Sequence, residues 1–244
     1  MTDFTRALPG HMYLIGVGPG SPDLLTLRAV NILSSVDVIV APRSSASSAS
    51  LALNVVRPHL NEPEVIEHVY PMERDNDQTA RCWAQMADLS VARLKQGQSV
   101  AHITIGDPLI YSTGAYLVEQ IGHRIPADRM HVLSGISAMQ AASALIGEPL
   151  LTQNDRLLML PADNLEAVES ALDHCETLVI YKIGARFALL VELLRRHGLV
   201  KKSRLVCYAE QKREQVFFDL DRAHGERLGY MSIVIVHIGH RPWE

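Results

Sequence analysis

The chain has 244 residues, 48% of them hydrophobic, and carries 23 Lys+Arg against 27 Asp+Glu for a net charge of -4. That is enough apolar material for one large domain or two smaller ones, and the charge balance disfavours general nucleic-acid binding while leaving room for a local basic pocket. No run of about 18 apolar residues occurs, so no transmembrane helix is expected.

The first ten residues, MTDFTRALPG, contain an acid and no apolar core, which argues against a secretion signal. Cys82, Cys175 and Cys207 are scattered without a CxxC pair. Such usage fits a reducing cytoplasm and offers neither a disulfide framework nor a metal site. His237 and His240 lie close together near the C-terminus without an adjoining third ligand, so they read as a solvated tail and no metal is expected.

Apolar β-rich runs alternate with segments of helical period. Residues 12–17 read as a strand and 22–35 as one helix with an apolar surface of Leu24, Leu25, Leu27, Val30, Ile32 and Leu33. A strand over 37–41, a helix over 50–60, a short strand over 65–69 and a long helix over 78–95 follow. Next come a strand at 99–105, a helix at 113–121, a strand at 130–133 and a helix at 137–145. This is the βαβ rhythm of a mostly parallel sheet with helices on both faces.

Beyond a cluster of Pro and polar residues at 147–153 the pattern changes. Strands at 156–160 and 177–181 and helices at 165–172 and 186–197 precede a strand-rich end: 204–208, 215–219 and 231–238. Short connections there suggest antiparallel pairing and a mixed sheet. The fold class is α/β with two α/β domains, 1–148 and 149–244. The serine-rich stretch 44–50 reads as a mobile loop.

Three loops follow strand ends, where ligands of open parallel sheets bind. The first, GVGPGSPDLLTLRAV at 16–30, looks like a dinucleotide turn, but Ser21 stands where the fingerprint needs its last glycine. Pro19 has no N–H for phosphate, and no GK[ST] follows. A rigid corner at Gly18, Pro19 and Gly20 suits the approach of a flat or bulky ligand, and a plain tight turn is the alternative. The second loop, TIGDPLIYSTGAYL at 104–117, combines Gly106, which permits unusual backbone angles, with Asp107, which can accept hydrogen bonds or balance a cation; an Asx turn capping the next helix is the alternative. The third, LSGISAMQAASA at 133–144, enters a helix of small residues that permits close packing or leaves room for a ligand.

GVGPGSPDLLTLRAV followed by GDPLIYS and SGIS resembles the tetrapyrrole methylases, over about 12–238. That resemblance implies two α/β domains, a homodimer, and S-adenosylmethionine bound in a cleft between the domains. YPMERD at 70–75, LPA at 160–162, VIYKIG at 179–184 and YMSIVIV at 230–236 match the branch acting on precorrin-2. They imply C-methylation at its C20 meso carbon, or that of its cobalt form, to give precorrin-3A or its cobalt form. Another tetrapyrrole carbon, a protein side chain, or non-catalytic binding remain the alternatives. Ser134 stands where the family usually has proline.

Carried over motif by motif, the resemblance implies a cofactor site of Gly106, Asp107, Ile110, Tyr111, Ser112 and Thr113, bordered by Ile136 and completed by Ala162, Tyr181 and Lys182. Gly18 and Pro19 would help shape the trough for the acceptor. The substrate's carboxylates need cations: Arg43, at the carboxyl end of its strand, is the first candidate and Arg74 the second. Asp75 could position a ring N–H, or cap the long helix together with Asp77. No residue stands out as a general base.

Overall fold

The computed structural model describes residues 4–43, 45, 48–69, 76–112, 114–223 and 228–239. The chain divides into two compact units, Met1–Ser137 and Ala138–Glu244.

The first unit holds strands β1 (Met12–Gly16), β2 (Val38–Arg43), β3 (Glu64–Val69), β4 (Val100–Thr104) and β5 (Met130–Leu133). They form one sheet in the order β3-β2-β4-β1-β5, and every pairing is parallel. Helices α1 (Leu27–Leu33), α2 (Leu51–Val56), α3 (Asn76–Lys95) and α4 (Gly114–Gly122) cover it. Because strand side chains alternate, Tyr13, Ile15, Ile39 and Ala101 meet Ile32 and Leu33 of α1 and Leu53 and Val56 of α2. Met12, Val38, Val40 and Val100 meet Trp83, Met86 and Val91 of α3 and Leu117 and Ile121 of α4. Burial on both faces accounts for the near-continuous apolar strands of this half.

The single helix expected over 22–35 is two elements. A 3-10 turn at Pro22–Leu24 gives way to extended Leu25 (ψ 139°), and α1 restarts after Thr26, whose side chain accepts from the Ala29 N–H. Capping satisfies a backbone donor that a continuous helix would have paired internally. Apolar period alone ran through this break. Likewise α2 ends at Val56 and passes into a 3-10 turn at Arg57–His59, since Pro58 cannot donate in a continuing helix.

The second unit contains α5 (Ala138–Ile146), β6 (Leu157–Pro161), α6 (Leu165–Ala171), β7 (Thr177–Tyr181), α7 (Phe187–Arg196), β8 (Ser203–Cys207), β9 (Gln215–Phe217) and β10 (Ser232–His237). Its sheet runs β6-β7-β10-β8-β9. β6 and β7 are parallel, whereas β10 is antiparallel to β7 and β8, and β8 to β9. The mixed sheet places the carboxyl ends of β6, β7 and β8 on one edge. The division between units precedes the 148/149 boundary expected from sequence because α5 packs on β10.

His237 is not part of a solvated tail. It ends β10 at 2% exposure, with Nε2 3.0 Å from Glu148 Oε2, while Glu148 Oε1 accepts from Arg204 Nε at 2.9 Å. His240 lies outside the described residues. Among the described residues no helix is long and apolar enough to cross a membrane.

Candidate functional site

In the first unit the parallel register sets Gly16 opposite Thr104 and Ile15 opposite Leu133. The three glycine-bearing loops therefore leave the sheet side by side. They meet so closely that side chains are excluded at the contact. A Cβ on Gly16 would lie 2.6 Å from the Gly106 carbonyl oxygen and 2.7 Å from the Gly135 nitrogen, and one on Gly135 would lie 2.7 Å from the Gly16 carbonyl carbon. Gly18 and Gly106 exchange backbone hydrogen bonds, N–H to O, at 3.3 and 2.7 Å, both at φ 75°. Gly18 and Pro19 are buried, so Gly18 has a conformational reason to be glycine whatever binds nearby.

Asp107 ties two of these loops together. Its Oδ1 accepts from the Leu109 N–H at 2.9 Å, an Asx turn as expected from sequence, but it does not cap the next helix, which starts at Gly114 with its N–H on Ser112 Oγ. Its Oδ2 accepts from the Gly135 N–H at 3.2 Å. The carboxylate therefore acts here on backbone N–H groups of its own chain, and its charge still adds negative potential to the loop cluster. The segment continues through half-buried Ile110 to Tyr111, whose φ is 48°. A left-handed aromatic residue costs roughly 1–3 kcal/mol, and such positions cluster at functional sites. The Tyr111 side chain is 44% exposed. Ser112 Oγ accepts from the Gly114 N–H at 2.9 Å and lies 3.0 Å from Thr104 Oγ1. Thr113 lies outside the described residues. In the third loop Ile136 is half-buried, Ser134 exposed and Ser137 buried.

Arg43 closes β2 on the same edge of this sheet. Its Nε donates to the Ser48 carbonyl at 2.6 Å and lies 3.3 Å from Glu67 Oε2, with the side chain 25% exposed. The sheet thus brings Gly18, Pro19, Gly106, Asp107, Ile110, Tyr111, Ser112, Ile136 and Arg43 to its carboxyl edge. Arg74 and Asp75 lie outside the described residues.

The second unit gathers Ala162, Tyr181 and Lys182 at one edge of its own sheet. Pro161 pairs with Tyr181, and the buried Ala162 donates its N–H to the Tyr181 carbonyl at 2.8 Å. Lys182 takes φ 56°. Sequence reasoning missed two residues on this edge. Tyr208 and Glu210, just past β8, take φ 52° and 59°, and the Arg213 guanidinium covers the Tyr208 ring at 4.4 Å. No glycine marks these bends, so their left-handed backbone has no sequence signature.

Chemically, the first unit's loops present fixed backbone, an exposed tyrosine and one carboxylate engaged with backbone donors. Such an arrangement is suited to binding and orienting a ligand. Among the described residues no cluster of three or more His, Cys, Asp or Glu side chains is placed to hold a metal ion.

The family model for Tetrapyrrole (Corrin/Porphyrin) Methylases matches residues 11–218. The chain belongs to this family. Among relatives, it is 31% identical over 238 residues to a cobalt-precorrin-2 C(20)-methyltransferase of Salmonella typhimurium, covering 96% of this chain and 98% of that protein. It is also 29% identical to a precorrin-2 C(20)-methyltransferase of Sinorhizobium sp, covering 93% and 95%. Among solved structures, a cobalt precorrin-4 methyltransferase superposes with TM-score 0.68 at 18% identity, over 96% and 95% of the two chains. A uroporphyrin-III C-methyltransferase of Thermus thermophilus, complexed with S-adenosylhomocysteine, gives 0.65 at 19%, over 93% and 96%. At that identity these two neighbours establish the fold of the methylase.

Proposed function

We propose that this methylase transfers a methyl group from S-adenosylmethionine to the C20 meso carbon of precorrin-2, or of its cobalt form, giving precorrin-3A or its cobalt form in cobalamin biosynthesis. The observation that carries this reading is full-length similarity to the Salmonella protein, with 98% of that protein covered. The reading extends to a cytoplasmic homodimer.

The donor supplies a methyl group already activated on a sulfonium, so the protein need not create an electrophile. Its residues fit that ligand. The glycine contacts at Gly16 and Gly135 let three backbone segments meet without intervening side chains, a surface suited to recognising a nucleoside through N–H and C=O groups. Tyr111 offers an exposed ring, and the Asp107 carboxylate favours a nearby cation. The other donor-binding residues carried over from the family motifs are Gly106, Ile110, Ser112, Thr113, Ile136, Ala162, Tyr181 and Lys182. The acceptor side is served by Gly18, Pro19, Arg43, Arg74 and Asp75. Holding donor and acceptor in line and excluding water is the main contribution asked of such residues.

Arg43, at the carboxyl end of β2, is the cation we assign to an acetate or propionate of the macrocycle. Its Glu67 partner holds the guanidinium at the strand end, and a bidentate carboxylate is a stronger partner than one exposed ion pair.

The reading is tested with purified protein, S-adenosylmethionine and a panel of acceptors: precorrin-2, its cobalt form, and uroporphyrinogen III. Mass spectrometry is expected to show one added methyl on a precorrin-2-type acceptor. Exclusive methylation of uroporphyrinogen III, or donor binding without turnover on any acceptor, would replace this reading.

A further inference from the structure

Strand β4 presents Val100, His102 and Thr104 to α3 and α4, because alternate residues share a face. Val100 joins an apolar cluster there, yet His102 and Thr104 are also buried, at 3% and 7% exposure. Polar groups in such a setting are costly unless bonded, and each is bonded to a serine. The two bonds serve different ends.

His102 serves the helix. Ser90 Oγ donates its one proton to the Met86 carbonyl at 2.7 Å, so at 2.9 Å it accepts from His102 Nε2–H. This fixes the histidine tautomer and anchors α3 to β4. Thr104 serves the loop. Its Oγ1 is 3.0 Å from Ser112 Oγ, which also accepts from the first N–H of α4. Ser112 is thereby held to the strand and to the helix start at once, immediately after the left-handed Tyr111. The helix start is itself pressed onto the loop: a Cβ on Gly114 would lie 3.1 Å from the Pro108 carbonyl oxygen.

We propose that Thr104 is a positioning residue of the methyl-donor loop, acting through Ser112 to keep Tyr111 in its left-handed conformation. This rests on the donor-binding reading above. Thr104 needs no contact with the donor; its hydroxyl sets the shape that the donor meets.

The experiment measures S-adenosylhomocysteine binding by calorimetry, donor KM and kcat, and melting temperature, for the parent, Thr104→Val, Thr104→Ser, Ser112→Ala, the Thr104→Val/Ser112→Ala pair and His102→Asn. Thr104→Val keeps the shape and removes the hydroxyl, so loss of one net hydrogen bond predicts binding weaker by about fivefold. Its kcat at saturating donor is expected to stay near the parent value, and Thr104→Ser to restore affinity. The pair is expected to bind no more weakly than Ser112→Ala alone, because both changes break one contact. His102→Asn is expected to melt earlier with donor affinity kept.

Parent-like affinity in either Thr104→Val or Ser112→Ala would overturn the proposal. So would a Thr104→Val defect that Thr104→Ser fails to rescue, or one confined to melting temperature. Failure of the parent itself to bind S-adenosylhomocysteine would instead overturn the donor-binding reading, and the positioning role with it.

Discussion

Asp107 Oδ2 accepts a hydrogen bond from the backbone N–H of Gly135 at 3.2 Å, joining two loops that leave different strands of the first sheet. In the proposed donor site the carboxylate would act through loop geometry as well as charge. Asp107→Asn keeps one acceptor oxygen and turns an NH2 group toward a backbone donor. A hydrogen bond to a charged group contributes about 1.5–3 kcal/mol, so donor affinity should fall tenfold or more. Calorimetric titration with S-adenosylhomocysteine checks this, and parent-like affinity would remove Asp107 from the site.

Gly135→Ala should cost stability as well as activity. Its Cβ would press on Gly16, whose carbonyl oxygen would lie at 2.8 Å, and overpacking of this kind typically costs about 1–3 kcal/mol. Gly122, at the end of α4, meets nothing within 4 Å and is not left-handed. Gly122→Ala should be neutral or stabilising by up to about 1 kcal/mol. Denaturant midpoints of the two variants should move in opposite directions or, at least, only the first should fall.

Arg43→Ala should raise the acceptor KM roughly tenfold while donor affinity stays, since its Nε bonds lie at the edge of the first sheet and a charge-assisted contact to carboxylate is lost. Arg43→Lys should recover only part, because an ammonium cannot form the planar fork. Added salt should weaken acceptor binding more than donor binding. Equal acceptor KM in parent and both variants would move the carboxylate contact away from Arg43.

His102 gives the fold a pH dependence of definite sign. Burial, with a smaller contribution from His68, lowers its pKa from 6.5 to about 3. It stays neutral in the folded protein while the unfolded chain takes up a proton below pH 6.5. Stability is therefore full above that pH and falls as pH drops toward 3, by about 1.4 kcal/mol per pH unit for one proton. Burial lowers His11, His68 and His131 in the same direction. Melting temperatures between pH 7 and 5 should fall, and less steeply in His102→Asn. An identical slope in that variant would contradict the assignment.

Much of this architecture was legible in the chain because both of its periodicities were clean. Alternation of apolar runs with helical segments placed every strand of the first sheet, and the strand-rich end announced antiparallel pairing. The break at Thr26 was not visible, since Leu24 to Leu33 keep a helical apolar period across a cap that interrupts the backbone. His237 is buried at the end of β10, between β7 and β8, and meets Glu148, far away in sequence; hydropathy carries no such information. At the site, glycines flagged the meeting of three loops, and Asp107 was visible as an Asx turn but not as a link to Gly135. Tyr111, Lys182, Tyr208 and Glu210 adopt left-handed backbone that residue type does not announce. Thr104 read as an ordinary residue of the 99–105 strand, and only its distance to Ser112 gives it a role.

The position of the new methyl tests the central claim most directly. Protein incubated with 13C-methyl-labelled S-adenosylmethionine and precorrin-2, in metal-free and cobalt forms, yields a product whose 13C spectrum locates the label. A single labelled methyl on C20 in at least one form is the predicted result. Label on any other carbon, or none incorporated into either form, would contradict the account.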